Sequence, residues 1–114
     1  MEIKAYVDSK IKNFLEKANK YVISLNETDL VEEGYAPADF LTCANFCSHY
    51  LFTAEQIMWE SSFRPYLSKI IDAQWDLSEI IIYSRFRLHD LDIKIIKDHL
   101  ADLTKIMGEL GYEG

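Results

Sequence analysis

From Ile3 to Leu25 the apolar positions Ile3, Val7, Ile11, Leu15, Ala18, Val22 and Leu25 recur at steps of three and four, the period that gathers side chains on one side of an α-helix. Lys4, Asp8, Lys12, Glu16 and Lys20 fill the remaining positions, so the pattern predicts a helix over 3–25 that packs along one side only. Its end is marked by a change of character. Asn26-Glu27-Thr28-Asp29 offers turn and cap residues, Gly34 a helix stop and Pro37 a restart, which makes 26–36 a connection with a short turn at Leu30–Glu33.

A second helix is expected from Pro37 to Trp59. Apolar residues cover more than one side of it, and no Lys or Arg occurs over 38–60, as suits the most buried helix of a small domain. Ser61-Ser62 and Pro65 supply the start signals of a third helix, opening near Phe63 and passing through Leu67, Ile70, Ile71, Trp75 and Leu77. The stretch 80–96 is ambiguous: Ile80-Ile81-Ile82-Tyr83 is β-branched and aromatic, and polar and apolar residues alternate after it. A hairpin there would turn most readily at Gly, Pro or Asn, and none occurs between 66 and 107. Helix is therefore preferred. The last helix follows from Ile93, Ile96, Leu100, Leu103, Met107 and Leu110, with Asp90 or Asp92 as its cap and Gly108 and Gly111 as its stop. The expected fold is all-α, a four-helix up-down-up-down bundle forming one domain over 1–114, with an α+β variant carrying a hairpin at 80–96 as the alternative.

Composition narrows the class of protein. Only four Gly and two Pro in 114 residues, with 49% hydrophobic residues, exclude disorder and low-complexity polymer. Nineteen acids against twelve bases leave a net charge of −7, which argues against direct nucleic-acid binding and against anionic membranes. No apolar run approaches the ~18 residues of a membrane span. Met1 leads into Glu2, Ile3 and Lys4 without an apolar leader, so the expected location is cytoplasmic, with Cys43 and Cys47 as reduced thiols.

Candidate chemistry is sparse. Cys43 and Cys47 share one side of helix 2, but no further cysteine completes a metal set, and they read as small packing residues. His89 with Asp92, and His99 with Asp102, are spaced to meet on a helix surface and would suit a general base. Arg85 and Arg87 flank Phe86 and are expected to neutralise Asp90 and Asp92. No phosphate loop, nucleophile elbow or zinc-binding His pair is present, so no cofactor, metal or catalytic residue is assigned.

Charge placement is the sharpest feature. Positions 21–63 hold seven acids and no Lys or Arg, while the rest of the chain balances at twelve of each sign. Five of the seven lie within Glu27–Asp39, and aromatic residues crowd helix 2 and the start of helix 3. An acidic patch beside surplus aromatic surface suits a binder of a basic protein, with charge steering the encounter. The expected function is a non-enzymatic interaction module of inhibitor, immunity or adaptor type, contacting a basic partner through Glu27, Asp29, Glu32, Glu33, Tyr35 and Asp39. Two alternatives are a structural homodimeric subunit and a small enzyme using a His–Asp pair.

Overall fold

The computed structural model describes residues 3–110, and every regular element in it is helical. Four α-helices, α1 (Ile3–Glu27), α2 (Ala38–Ile57), α3 (Leu67–Ser84) and α4 (Asp90–Glu109), form an elongated up-down-up-down bundle of 54 × 21 × 21 Å. Packing is heaviest between α1 and α2, α2 and α3, and α3 and α4; α1 and α4 touch more lightly.

Each helix presents one seam to the axis with regular alternation of three and four. On α1 the seam is Ile11, Leu15, Ala18, Val22 and Leu25; α2 contributes Phe40, Ala44, Cys47, Leu51 and Ala54. Ile70, Ala73, Leu77, Ile80 and Ser84 follow on α3, and Ile96, Leu100, Leu103 and Met107 on α4. A 3–4 repeat keeps a seam pointed at its neighbours when helices cross at about 20°, the left-handed bundle geometry. Small residues set the spacing. Ala18, Ala44, Cys47, Ala54 and Ala73 are fully buried, so backbones approach closely enough for the Cys47 thiol to donate to the Ala18 carbonyl of α1 at 3.5 Å.

The hairpin alternative at 80–96 does not form: α3 continues through Ile80–Tyr83 to Ser84, and α4 starts at Asp90. Other boundaries shift by local chemistry. The α-helical part of the second helix stops at Ile57, and Met58–Glu60 and Arg64–Tyr66 are 3₁₀ turns, so α3 begins at Leu67 rather than near Phe63. The Ser61 hydroxyl donates to the Met58 carbonyl at 2.8 Å and accepts from the Phe63 N–H at 3.0 Å, while Pro65 has no N–H to give. Asp8 of α1 anchors this bend, accepting from the Ser62 N–H at 2.8 Å and the Ser62 hydroxyl at 2.6 Å. Those two bonds, the hydroxyl first, hold the Asp8 carboxyl below its ordinary pKa. At α4 the cap residue is His89, whose N–H donates to Asp92 Oδ2 at 2.9 Å, so Asp92 acts from inside the first turn. Gly108 lies within α4 and does not stop it; Gly111 falls outside the described residues.

The connection after α1 is a strap laid along α4. In the last turn of α1, Asn26 Nδ2 donates to Thr104 Oγ1 of α4 at 2.9 Å, and on the connection itself Leu30 lines a depression with Lys97, Leu100 and Ala101. The strap then reaches the α3–α4 connection. There the Glu33 N–H donates to the Leu88 carbonyl at 2.7 Å and the Leu88 N–H to the Gly34 carbonyl at 2.8 Å. Leu88 is itself fully buried, an apolar plug on a connection. The turn is made at Glu33, with φ of 64°, and not at Gly34. Gly34 answers a different need, since a Cβ there would sit 3.3 Å from the Val31 carbonyl oxygen.

Truncating the plug by Leu88→Ala is expected to destabilise the fold by about 2–5 kcal/mol in urea titration. Left-handed backbone disfavours any residue with a Cβ by about 1–2 kcal/mol. Glu33→Gly should therefore be about 1 kcal/mol more stable than Glu33→Ala, both having lost the same carboxylate. Equal stabilities would show that the φ of Glu33 carries no strain.

Candidate functional site

Of the six residues the sequence singles out, Glu27 closes α1, Asp39 lies in the first turn of α2, and Asp29, Glu32, Glu33 and Tyr35 ride on the strap. All six are exposed, Tyr35 at 71%. The fold separates Glu33 from the rest. Its carboxylate takes the Arg87 guanidinium at 3.1 Å and lies 3.2 Å from His89 Nδ1, and Arg87 Nε donates to the Glu33 carbonyl at 3.0 Å. Arg87 thus serves Glu33 and not Asp90 or Asp92. Glu27, Asp29, Glu32 and Asp39 make no ion pair among the described residues. Read along the chain, this segment has no base near it; folded, it lies beside Arg87, His89 and Lys97. Its field is accordingly weaker than the sequence implies.

The His–Asp pairs also rearrange. His99 does not meet Asp102; its Nδ1 lies 2.8 Å from Asp76 Oδ1 across the α3–α4 contact. Asp76 is only 6% exposed. Burial, the largest influence, pushes its carboxyl above the ordinary value of 3.8, the bond from His99 opposes this, and Asp102 and Asp72 add repulsion in the same direction as burial. Asp76 borders a shallow cleft of about 360 Å³ with Asp72, Trp75, Asp102 and Lys105, and the Lys69–Glu109 ion pair lies at the same α3–α4 contact. An imidazole held this way can pass a proton only through Nε2. No hydroxyl or thiol hydrogen-bonds to either member of the pair among the described residues.

Cys47 is fully buried, and loss of solvation raises its thiol to about 12, with Cys43 adding a smaller push. Among the described residues no group of three His, Cys, Asp or Glu is arranged to hold a metal, and no helix is long and apolar enough to cross a membrane.

The aromatic surplus of helix 2 and the start of helix 3 reaches the surface, with Phe46, Phe52, Trp59 and Trp75 each about half exposed or more. On α2, Tyr50 is half-buried against α1 and Phe46 is covered on one side: Tyr21 stacks on Phe46 at 5.6 Å and on Tyr50 at 6.1 Å, and Phe14 on Tyr50 at 6.3 Å. Trp59 is covered on one side by the Arg64 guanidinium at 4.9 Å. On α3 the exposed apolar residues fall on one line. Ile71, Trp75 and Ile82 are 50%, 66% and 49% exposed, and at 100° per residue they lie about half a turn from the buried seam. Ser78 falls on the same line. Glu55 of α2 accepts from Gln74 Nε2 at 2.6 Å, which fixes the register of α2 on α3. Exposed Phe52, one turn before Glu55, therefore stands level with Ser78 and widens this face. The signal was present in the sequence as the doubled apolar positions Ile70-Ile71 and Ile80-Ile81-Ile82.

Comparison with family models, with curated proteins and with solved structures yields no match. The functional reading rests on the geometry.

Two measurements check these assignments. Iodoacetamide at pH 8 should modify one thiol per folded chain, at Cys43, and reach Cys47 only in denaturant; equal reactivity of the two would refute the burial of Cys47. A carboxyl whose pKa is raised by folding contributes stability below its unfolded value, and that contribution is lost as pH rises through the folded value. Asp76→Asn should therefore melt higher than the parent at pH 7, with the difference vanishing as the pH falls below the ordinary 3.8. A gap that widened on acidification would reverse the sign assigned to Asp76.

Proposed function

We propose that this protein is a non-enzymatic interaction module, of inhibitor, immunity or adaptor type, that binds a basic partner through the outward face of α3. The observation that carries this reading is the exposure of Ile71, Trp75 and Ile82 on the side of α3 turned away from the core. The exposed parts of these side chains gain nothing for the fold. With about 200 Å² for each large side chain, their exposed parts and that of Phe52 come to on the order of 400 Å². That is close to the apolar share of one side of a standard interface, about 450 Å².

A basic partner is supported by charge. The net charge of −7 arises wholly from positions 21–63, and Glu27, Asp29, Glu32 and Asp39 remain without ion partners among the described residues. In this reading those four residues, with Tyr35, steer the encounter, and Glu33 serves the clasp with Arg87. Steering acts over about 8 Å at physiological ionic strength, so it affects association rate more than residence time.

The test is capture on the immobilised chain from native lysate, followed by association kinetics with the protein captured. Ile82→Glu should abolish capture while leaving the helical spectrum and melting point intact. Glu27→Lys with Asp29→Lys should slow association about threefold to tenfold at low salt, and Glu16→Lys with Glu60→Lys, equal in charge change, should slow it less. Retention of the captured protein by Ile82→Glu would overturn the role of the α3 face. Equal slowing by the two charge pairs would reduce the strap to a solubilising surface.

A further inference from the structure

The spacing on the outward face of α3 is more specific than a patch. Ile71, Trp75, Ser78 and Ile82 follow one another at steps of four, three and four, the repeat that lets one helix lie along another with side chains interlocking. The buried seam of α3 has the same repeat, so this helix carries two seams on opposite sides and the bundle covers one. Taking Trp75 and Ile82 as equivalent core positions of a heptad, Asp72 and Glu79 occupy equivalent positions on one border, and Gln74 and Ile81 those on the other. Both acids are on the surface, Asp72 exposed and Glu79 half-buried, and neither makes an ion pair among the described residues. Gln74 is engaged with Glu55 of α2, a third carboxylate beside this border. Lys69 is held by Glu109 at the α3–α4 contact, and Arg85 is the one base on the line of the seam, just past the end of α3.

We infer that the outward seam of α3 docks a single amphipathic helix of a partner protein, apolar on a 3–4 repeat and flanked by Lys or Arg. This deepens the reading of α3 as a binding face and rests on it. Border residues choose the partner in such pairings, and acids at 72 and 79 select bases opposite them. A second copy of the chain fits less well: two α3 helices packed antiparallel would set Asp72 and Glu79 against the acids of the other copy, and two chains of net charge −7 repel as they approach. The length agrees too. Four seam positions from 71 to 82 span about three turns, roughly 17 Å, one interlocking layer for each position.

The experiment uses the full chain carrying Trp59→Phe, so that Trp75 is the only indole, and two synthetic 21-residue peptides with Leu and Ile on a heptad seam. One has Lys at both borders and the other Glu. The Lys-bordered peptide should shift Trp75 emission to the blue and gain helix on binding; the Glu-bordered peptide should bind at least tenfold more weakly. Ile82→Glu should weaken the Lys-bordered peptide at least tenfold, and Asp72→Lys with Glu79→Lys should invert the preference between peptides. These side chains point away from the core, so melting points should stay within a few degrees of the parent and exclude unfolding as the cause. Binding indifferent to Ile82→Glu, or a preference that Asp72→Lys with Glu79→Lys leaves unchanged, would overturn the inference. So would a dimer in sedimentation that Ile82→Glu dissolves, because the occupant would then be a second copy. Capture that is lost in Ile82→Glu, with neither peptide binding, would sink the helical partner and leave the broader reading standing.

Discussion

A bundle of four helices offers each of them one side on which to bury apolar surface, and everything else in this protein is arranged around that limit. The seams on α1, α2, α3 and α4 alternate by threes and fours without a break, and small residues along α1, α2 and α3 draw the backbones together. Close approach leaves no slack for a misplaced turn. The bonds from Asp8 to Ser62 and between Glu33, Gly34 and Leu88 therefore fall where the chain reverses, holding the helices in the register their seams require. Apolar residues beyond one seam per helix have no place inside. On α2 rings of α1 cover part of them, and on α3 Ile71, Trp75 and Ile82 stay half exposed or more.

The same limit explains what could be read from the chain and what could not. The four seams are periodic within single helices, so the bundle and its core were legible from Ile11 to Met107. The run Ile80-Ile81-Ile82 looked like strand because two seams on opposite sides of one helix interleave there: Ile80 belongs to the core, Ile82 to the outer face and Ile81 to the border. Single-seam reasoning has no category for such a run.

Pairings between distant segments were not legible. His99 finds Asp76 and Arg87 finds Glu33 only because helix register and the course of the strap bring them together, and no local spacing encodes either. Along the sequence His99 stands three residues from Asp102, an equally good partner by spacing; the direction in which α4 turns that imidazole decides the matter. Along the sequence Glu33 is one more acid of the patch for the same reason. In place of Gly34, the residue chosen for the left-handed turn is the one whose carboxylate and carbonyl both hold Arg87, and local propensity yields to a contact made from 54 positions away.

The strap has a consequence for how this sequence can drift. It is held at three stations, the Asn26 side chain at the end of α1 on Thr104, the Leu30 side chain beside Leu100, and the backbone of Glu33 and Gly34 on Leu88, while the side chains between the stations are mostly turned to water. Such a segment can exchange its exposed residues freely yet has no freedom in length: one residue inserted or removed between Asn26 and Gly34 would put a station out of step with α4. Among descendants of this chain, relatives would diverge in letters along the strap before they diverged in gaps, a reversal of the usual behaviour of connections between helices.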